Sequence, residues 1–177
     1  MSVEKPLRIE KIKEGTVIDH IKASYALLIL RALNIDFLKD NLITIGINVF
    51  SKSSPNHKKD IVKIENVFLN QRQIDAISLI SPNSKVSFIR DYKVEKKIVL
   101  DVPEKISEIL PCPNTTCISN KEREPIVPEF TRITENPLKI QCDYCGRLIM
   151  KEEIFKLIEK LAGENLRKIN APIVESD

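Results

Sequence analysis

Runs of apolar residues, alternating in some stretches and spaced by three or four in others, divide the first hundred positions into strands and helices. Residues 7–12 alternate weakly and predict a short strand. After Gly15, the β-branched run Thr16-Val17-Ile18-Asp19-His20-Ile21 predicts a second, with polar residues near its end. Residues 24–33 have helical spacing, with Leu27, Leu30 and Leu33, or Ala26, Leu30 and Leu33, on one side. Residues 41–50 predict a strand carrying Ile43, Ile45 and Ile47 on one face. Turn formers crowd 51–57, and 59–68 predict the returning strand of a hairpin. A helix then starts at Asn70, which can cap it while Gln73 reaches back to the cap. Ile74, Ile77 and Ile80 give that helix a core face, and Pro82 and Asn83 end it. Strands over 85–89 and 92–100 follow.

The order is strand, helix, strand, strand, helix, strand, with one extra edge strand. This is the split βαβ pattern of ferredoxin-like folds, an antiparallel sheet with two helices on one face. The expected class is α+β, with this domain over residues 1–100. Residues 101–110, which include Pro103, read as a connector. Residues 111–150 read as a small β-rich module around four cysteines, and 151–177 as a C-terminal helix and tail. Within that helix Ile154, Leu157, Ile158 and Leu161 follow i, i+3, i+4, i+7 spacing. Gly163 weakens it and Pro172 lies beyond its end.

All of the chain's cysteine lies in that module, as Cys112-x4-Cys117-x24-Cys142-x2-Cys145. Two close pairs separated by a loop present four thiolates to one metal ion, each pair supplying one edge of a tetrahedron. With sulfur at every corner, such an ion holds structure and leaves no open position for a substrate. Thiolate-rich tetrahedral sites select zinc or iron, and zinc is expected here, one per chain. Two disulfides are a competing reading. They need an oxidising compartment, and the chain opens MSVEKPLRIEKIKEG without an apolar signal core. A redox pair at Cys142 and Cys145 is another, but the motif does not open a helix after a strand.

Composition adds less than charge distribution does. Apolar residues make up 42% and charged residues 30%, an ordinary soluble balance. No apolar run approaches the roughly 20 residues that span a bilayer. A cytoplasmic protein with reduced thiols, and no membrane partner, is therefore expected. The net charge of +3 is small, but residues 1–103 hold 17 Lys or Arg against 12 Asp or Glu, and 104–177 hold 11 against 13. A polyanion would meet the N-terminal domain, the reverse of a DNA-binding zinc module. Residues 111–150 also contain only Phe130 and Tyr144 as aromatics. Both facts weaken the rival reading of a zinc-ribbon nucleic-acid binder, and no nucleic-acid partner is expected.

With only His20 and His57 present, no Ser-His-Asp or Cys-His set can be assembled without dismantling the metal site. Asp19-His20, at the end of a predicted strand, could reach a ligand; the same pair also reads as the start of a polar turn. Lys59 and Lys63 leave the same face of their strand, roughly 13 Å apart, and could bracket a ligand. Lys96-Lys97 adds a third basic pair. Edge protection by solvated lysine is the competing reading. The four glycines, at 15, 46, 146 and 163, cannot build a phosphate loop. A bound nucleotide would have to rest on lysines and sheet-edge amides.

Five strings stand in one order. They are Gly15-Thr16-Val17-Ile18-Asp19-His20-Ile21, Ile43-Thr44-Ile45-Gly46, Lys59-Asp60-Ile61-Val62-Lys63-Ile64-Glu65-Asn66, Cys112-Pro113-Asn114-Thr115-Thr116-Cys117-Ile118-Ser119 and Cys142-Asp143-Tyr144-Cys145. Together they resemble the aspartate carbamoyltransferase regulatory-chain family over about residues 7–150. The resemblance implies a non-catalytic allosteric subunit of the enzyme that commits carbamoyl phosphate and aspartate to pyrimidine synthesis. It implies an N-terminal domain binding ATP, CTP and related nucleotides such as UTP, and a zinc domain docked on the catalytic chain. By the same match Ile9, Glu10, Ile12 and Val17 would surround the base, with Asp19 near the ribose. His20 and Lys97 would meet the phosphates. Lys63 would contact the base and ribose region, and Lys59 would be a second nucleotide-facing position. Ser87, Ile89, Tyr92 and Val94 would complete the pocket. The resemblance further implies a homodimer through the N-terminal domain and an assembly of two catalytic trimers with three regulatory dimers. The helix and tail beyond 150 extend past that family's zinc domain and are expected to brace it or the catalytic chain.

Overall fold

The computed structural model describes residues 10–33, 41–52, 54 and 56–169, the last eight of these as helical backbone alone. The first sheet has five antiparallel strands in the order β2-β3-β1-β4-β5, formed by β1 (Gly15–Lys22), β2 (Ile43–Phe50), β3 (Lys58–Glu65), β4 (Lys85–Arg90) and β5 (Lys93–Val99). Helix α1 (Ala26–Ala32) joins β1 to β2 and helix α2 (Gln71–Ile80) joins β3 to β4. The strand order β2-β3-β1-β4 is the ferredoxin-like topology expected from the pattern, and β5 is its added edge.

Alternation explains which side chains the sheet buries. Ile18, Val62 and Val86 lie opposite one another in a single row and are fully buried, with Ile64 beside them. Gly15 is required where it stands. Its φ is +127°, and a Cβ there would meet the Ile64 carbonyl oxygen at 2.1 Å. Arg90 pairs with Lys93, so Asp91 and Tyr92 form a two-residue turn, both with positive φ, of the kind whose twist matches the strands.

Two expectations need correction. Residues 10–12 form no strand, and the remainder of the segment 7–12 lies outside the described residues. Tyr92, placed in a strand by its β propensity, sits in the turn before β5. The hairpin of β2 and β3 is also less regular than its alternation implies, because the pairing slips between Gly46 and Val49, where Asn48 adopts φ 56°.

The second sheet has four antiparallel strands in chain order, β6 (Lys105–Ser107), β7 (Glu129–Glu135), β8 (Leu138–Cys142) and β9 (Leu148–Met150). Within the stretch read as a connector, β6 pairs with β7. Ile106, Phe130 and Cys142 oppose one another on the buried face, and Ile140 and Ile149 complete it. Helix α3 (Lys151–Ile169) follows β9 directly, and Ile154 and Ile158 on its apolar stripe are buried. By the closeness of their backbones, β1–β5 fall in one compact unit, while nearly all of α1, all of α2 and everything from residue 101 fall in a second. Among the described residues no helix is long and apolar enough to cross a membrane.

Candidate functional site

Directly opposed residues in antiparallel strands share a face. Lys97 opposes Ser87, Ser87 opposes Val17, Val17 opposes Lys63 and Lys63 opposes Thr44, so one row crosses all five strands. A neighbouring row runs from Val94 through Ile89 to Gly15. Alternation puts Asp19 on the same face as Val17, beside Lys85, and Lys59 on the same face as Lys63. The register thus gathers Val17, Asp19, Lys59, Lys63, Ser87, Ile89, Val94 and Lys97 on one side of the sheet. Periodicity alone had joined only Lys59 to Lys63.

Residues 10–14 are tied to the strands of this sheet through their backbone carbonyls. Lys63 Nζ donates to the Glu10 carbonyl, and the Tyr92 amide donates to the Lys13 carbonyl at 3.0 Å. Ile12 is buried, whereas Glu10 and Tyr92 are exposed. Ile9 lies outside the described residues.

Asp19 and His20 owe their position to a bulge. Ile18 pairs with Val62 and Ile21 with Asp60, so both residues oppose Ile61, and His20 takes φ 57°. The Asp19 carboxylate there gathers positive groups. Lys59 Nζ lies 2.8 and 3.0 Å from its two oxygens, the His20 amide donates to it at 2.7 Å, and His20 Nδ1 lies 3.0 Å away. Burial opposes its ionisation, but the bonds from Lys59 and His20 and their charges outweigh burial and hold its pKa below the ordinary 3.8. Lys63 is only 8% exposed, and burial outweighs the favourable charges of Asp19 and Glu65, pulling it below the usual lysine range.

Asp19→Asn should therefore lower stability at neutral pH by about 1 kcal/mol, the scale of a partly exposed charged hydrogen bond. Because the folded carboxyl titrates below its unfolded value, that contribution is complete above about pH 5 and fades as pH falls through the folded pKa. Urea midpoints of the two proteins should converge below about pH 4. A gap that stays constant into acid would remove the ion pair as its source.

Asp60 escaped the sequence reading, since a single carboxylate after two lysines looks like part of a basic cluster. It is fully buried and accepts the Asn48 amide at 2.8 Å and the Ala26 amide at 3.0 Å. One side chain thus fixes the β2 bulge and the start of α1.

The four cysteines converge as their spacing implied. All four Sγ atoms lie within 4.8 Å of one another, with Cys112 3.6 Å from Cys145 and Cys117 3.8 Å from Cys142. A tetrahedral ion with metal–sulfur bonds of about 2.3 Å needs sulfurs about 3.8 Å apart, whereas a disulfide needs about 2.05 Å. The cluster fits a thiolate-bound metal, and all four cysteines are free. Burial pushes the Cys112 and Cys142 thiols up, while the Arg147 amide brings Cys145 down to about 6. Gly146, with φ 72°, closes the second knuckle by donating to the Cys142 carbonyl at 2.9 Å. Asn120 closes the first, donating to the Cys112 and Asn114 carbonyls at 2.8 and 2.9 Å. Asp143, between the last two cysteines, accepts from Lys105 Nζ at 2.8 Å and from Thr131 Oγ1 at 2.5 Å. Knuckle, β6 and β7 are tied together by these bonds.

Comparison with known proteins gives these features a family. Residues 7–101 match the family model described as the aspartate carbamoyltransferase regulatory chain, allosteric domain, and 104–155 match that of its metal binding domain. The chain is 47% identical over 146 residues to the aspartate carbamoyltransferase regulatory chain of Archaeoglobus fulgidus, covering 82% of this chain and 94% of the relative. It is 42% identical over 154 residues to that of Ignicoccus hospitalis, covering 87% and 98%. With that of Korarchaeum cryptofilum it shares 40% over 161 residues, covering 91% and 99%. Both domain models occur in order on one chain, the four thiolates close a structural metal site, and the relatives are regulatory chains along nearly their whole length. The chain therefore belongs to the aspartate carbamoyltransferase regulatory-chain family, a non-catalytic subunit of that enzyme.

Proposed function

We propose that this chain binds a nucleoside triphosphate on the lysine-bearing face of its first sheet and passes the resulting bias to a catalytic chain docked on its metal module. The observation that carries the reading is the row Lys97–Ser87–Val17–Lys63, with Asp19, His20 and Lys59 beside it. A triphosphate carries close to four negative charges, and lysine ammonium groups are natural partners for it. Lys97 and His20 would face the phosphates and Asp19 the ribose. The segment from Ile9 through Glu10 to Ile12, with Val17 and Lys63, would face the base. Ser87, Ile89, Tyr92 and Val94 complete the surface, and Lys59 serves a second nucleotide-facing position. ATP, CTP and UTP are the candidate effectors, since backbone groups at a sheet edge can distinguish their exocyclic groups.

In this reading residues 1–100 form the effector-binding domain and 111–150 the docking module, with 101–110 between them and 151–177 as a brace. Zn2+ would be held by Cys112, Cys117, Cys142 and Cys145. It supplies four fixed bonds that set the two knuckles, and no chemistry on substrate. Edge strand β2 exposes Ile45, Ile47 and Phe50, which supports a homodimer formed through the first sheet. Three such dimers would join two catalytic trimers. Two effectors competing for one site can then bias a quaternary equilibrium in opposite directions without touching the active site.

Calorimetric titration of ATP, CTP and UTP into the isolated chain tests the proposal. At least one should bind with micromolar to millimolar affinity and with weakened binding in high salt. Absence of binding by all three, together with steeply salt-dependent binding to RNA or DNA, would overturn it.

A further inference from the structure

Arg72 stands in the first turn of α2, the helix that links β3, which carries Lys59 and Lys63, to β4, which carries Ser87. Its guanidinium donates through Nη2 to the backbone carbonyl of Glu108, and Nη1 lies 3.5 Å from the Glu108 carboxylate. Glu108 directly follows β6 and stands just ahead of Cys112. It holds φ 60°, unusual for a residue with a side chain, and its own amide donates to the Pro128 carbonyl at 3.1 Å. One planar fork therefore grips both the main chain and the side chain of a single strained residue at the entrance to the metal module. The backbone grouping agrees: α2 falls with the residues from 101 onward, although both strands that it joins fall with the first sheet.

Stability does not account for this arrangement. Both side chains are more than half exposed, and pairs of that kind contribute only about 0–1 kcal/mol. A contact that adds little stability yet fixes register between an element bound covalently to the effector face and the start of the metal module is suited to carrying displacement. We propose that Arg72 is a positioning residue for allosteric coupling, transmitting movement of β3 and β4 through α2 to Glu108. The inference rests on the nucleotide reading above. It names one physical connection rather than a pathway, and it needs a readout of coupling.

The test uses the assembled enzyme containing wild-type, Arg72→Ala or Arg72→Lys regulatory chain. Nucleotide affinity is measured on each isolated regulatory chain, and zinc content and co-elution on each assembly. Arg72→Ala should leave affinity, zinc and basal turnover within about twofold. The nucleotide-induced shift in substrate half-saturation should shrink by about two- to fivefold, the most that a contact of this size can carry. Arg72→Lys keeps the charge but lacks the fork, and should recover only part of the shift. A full shift in Arg72→Ala would overturn this inference alone. So would loss of nucleotide affinity, zinc or assembly in that variant, since Arg72 would then act in binding or folding. Absence of nucleotide binding by the wild-type chain would overturn both this inference and the reading on which it rests.

Discussion

Replacing Cys117 with serine should release the metal and abolish association with the catalytic chain, while the first sheet continues to bind nucleotide. The expectation follows from size and from the donor set. The second sheet has four short strands, and its largest fully buried side chains include Phe130, Ile106 and Ile140. A module this small seldom holds together by apolar burial alone. A structural zinc site contributes apparent binding energies of about 10–16 kcal/mol, which become folding energy when no site preexists in the unfolded chain. Cys117 is buried, lies 3.8 Å from Cys142 Sγ and 3.2 Å from Ser119 Oγ, and ends the knuckle that Asn120 closes. A serine hydroxyl would replace a soft thiolate with a poor ligand at a position without solvent to compensate. Metal analysis, circular dichroism and co-elution with the catalytic chain check the outcome. Retention of one zinc per chain together with an intact complex would contradict it. Removing zinc from the wild-type chain with a chelator should reproduce the same loss, and restoring zinc should reverse it.

The metal centre was legible because its information is local. Two short cysteine spacings define two edges of a tetrahedron, and the pairing of β7 with β8 then only has to bring those edges together. The five-stranded sheet was legible for a related reason, since apolar and β-branched runs of strand length form β1, β3 and β4, and turn formers mark their ends. What could not be read were features created by pairing between distant segments. The bulge at Asp19-His20 exists because one strand has an extra residue relative to its partner, and neither strand records that by itself. The bulge in β2, at Ile47-Asn48, has the same origin. Strand β6 has three residues, too few for alternation to register.

Lys59 and Lys63 show the same boundary at the level of chemistry. Their spacing puts both on one face, and the structure agrees. Their roles differ, because Lys59 is neutralised by Asp19 while Lys63 is buried against the Glu10 carbonyl. That difference depends on the cross-strand register and on the segment tied to these strands through its carbonyls, so sequence spacing had no access to it. The five ordered strings reached the family where periodicity stopped, because residue identity at matched positions carries register implicitly.

Lys63→Met should weaken nucleotide binding more than any other single substitution on the lysine-bearing face. Methionine keeps most of the apolar stem, so packing around a residue that is 8% exposed is largely preserved and the charge is what disappears. Lys63 sits inside the row that crosses the sheet, between Val17 and Thr44, where a ligand would exclude water on both sides. A hydrogen bond to a charged partner in such a place contributes about 1.5–3 kcal/mol, which predicts a roughly 10–150-fold rise in Kd. Lys97 lies at the exposed end of the same row, and Lys97→Ala should raise the Kd by a smaller factor, about 3–10-fold, as should His20→Ala. The two lysine variants should also differ in salt dependence. Solvent screens the exposed charge, so the Lys97 effect should shrink at high ionic strength, whereas the Lys63 effect should persist. Titrations of ATP and CTP at low and high salt, with assembly monitored by size, separate these outcomes. Unchanged affinity in both lysine variants would remove the face as the nucleotide site. Equal losses with equal salt dependence would place the ligand's charge at the sheet edge and not over its centre.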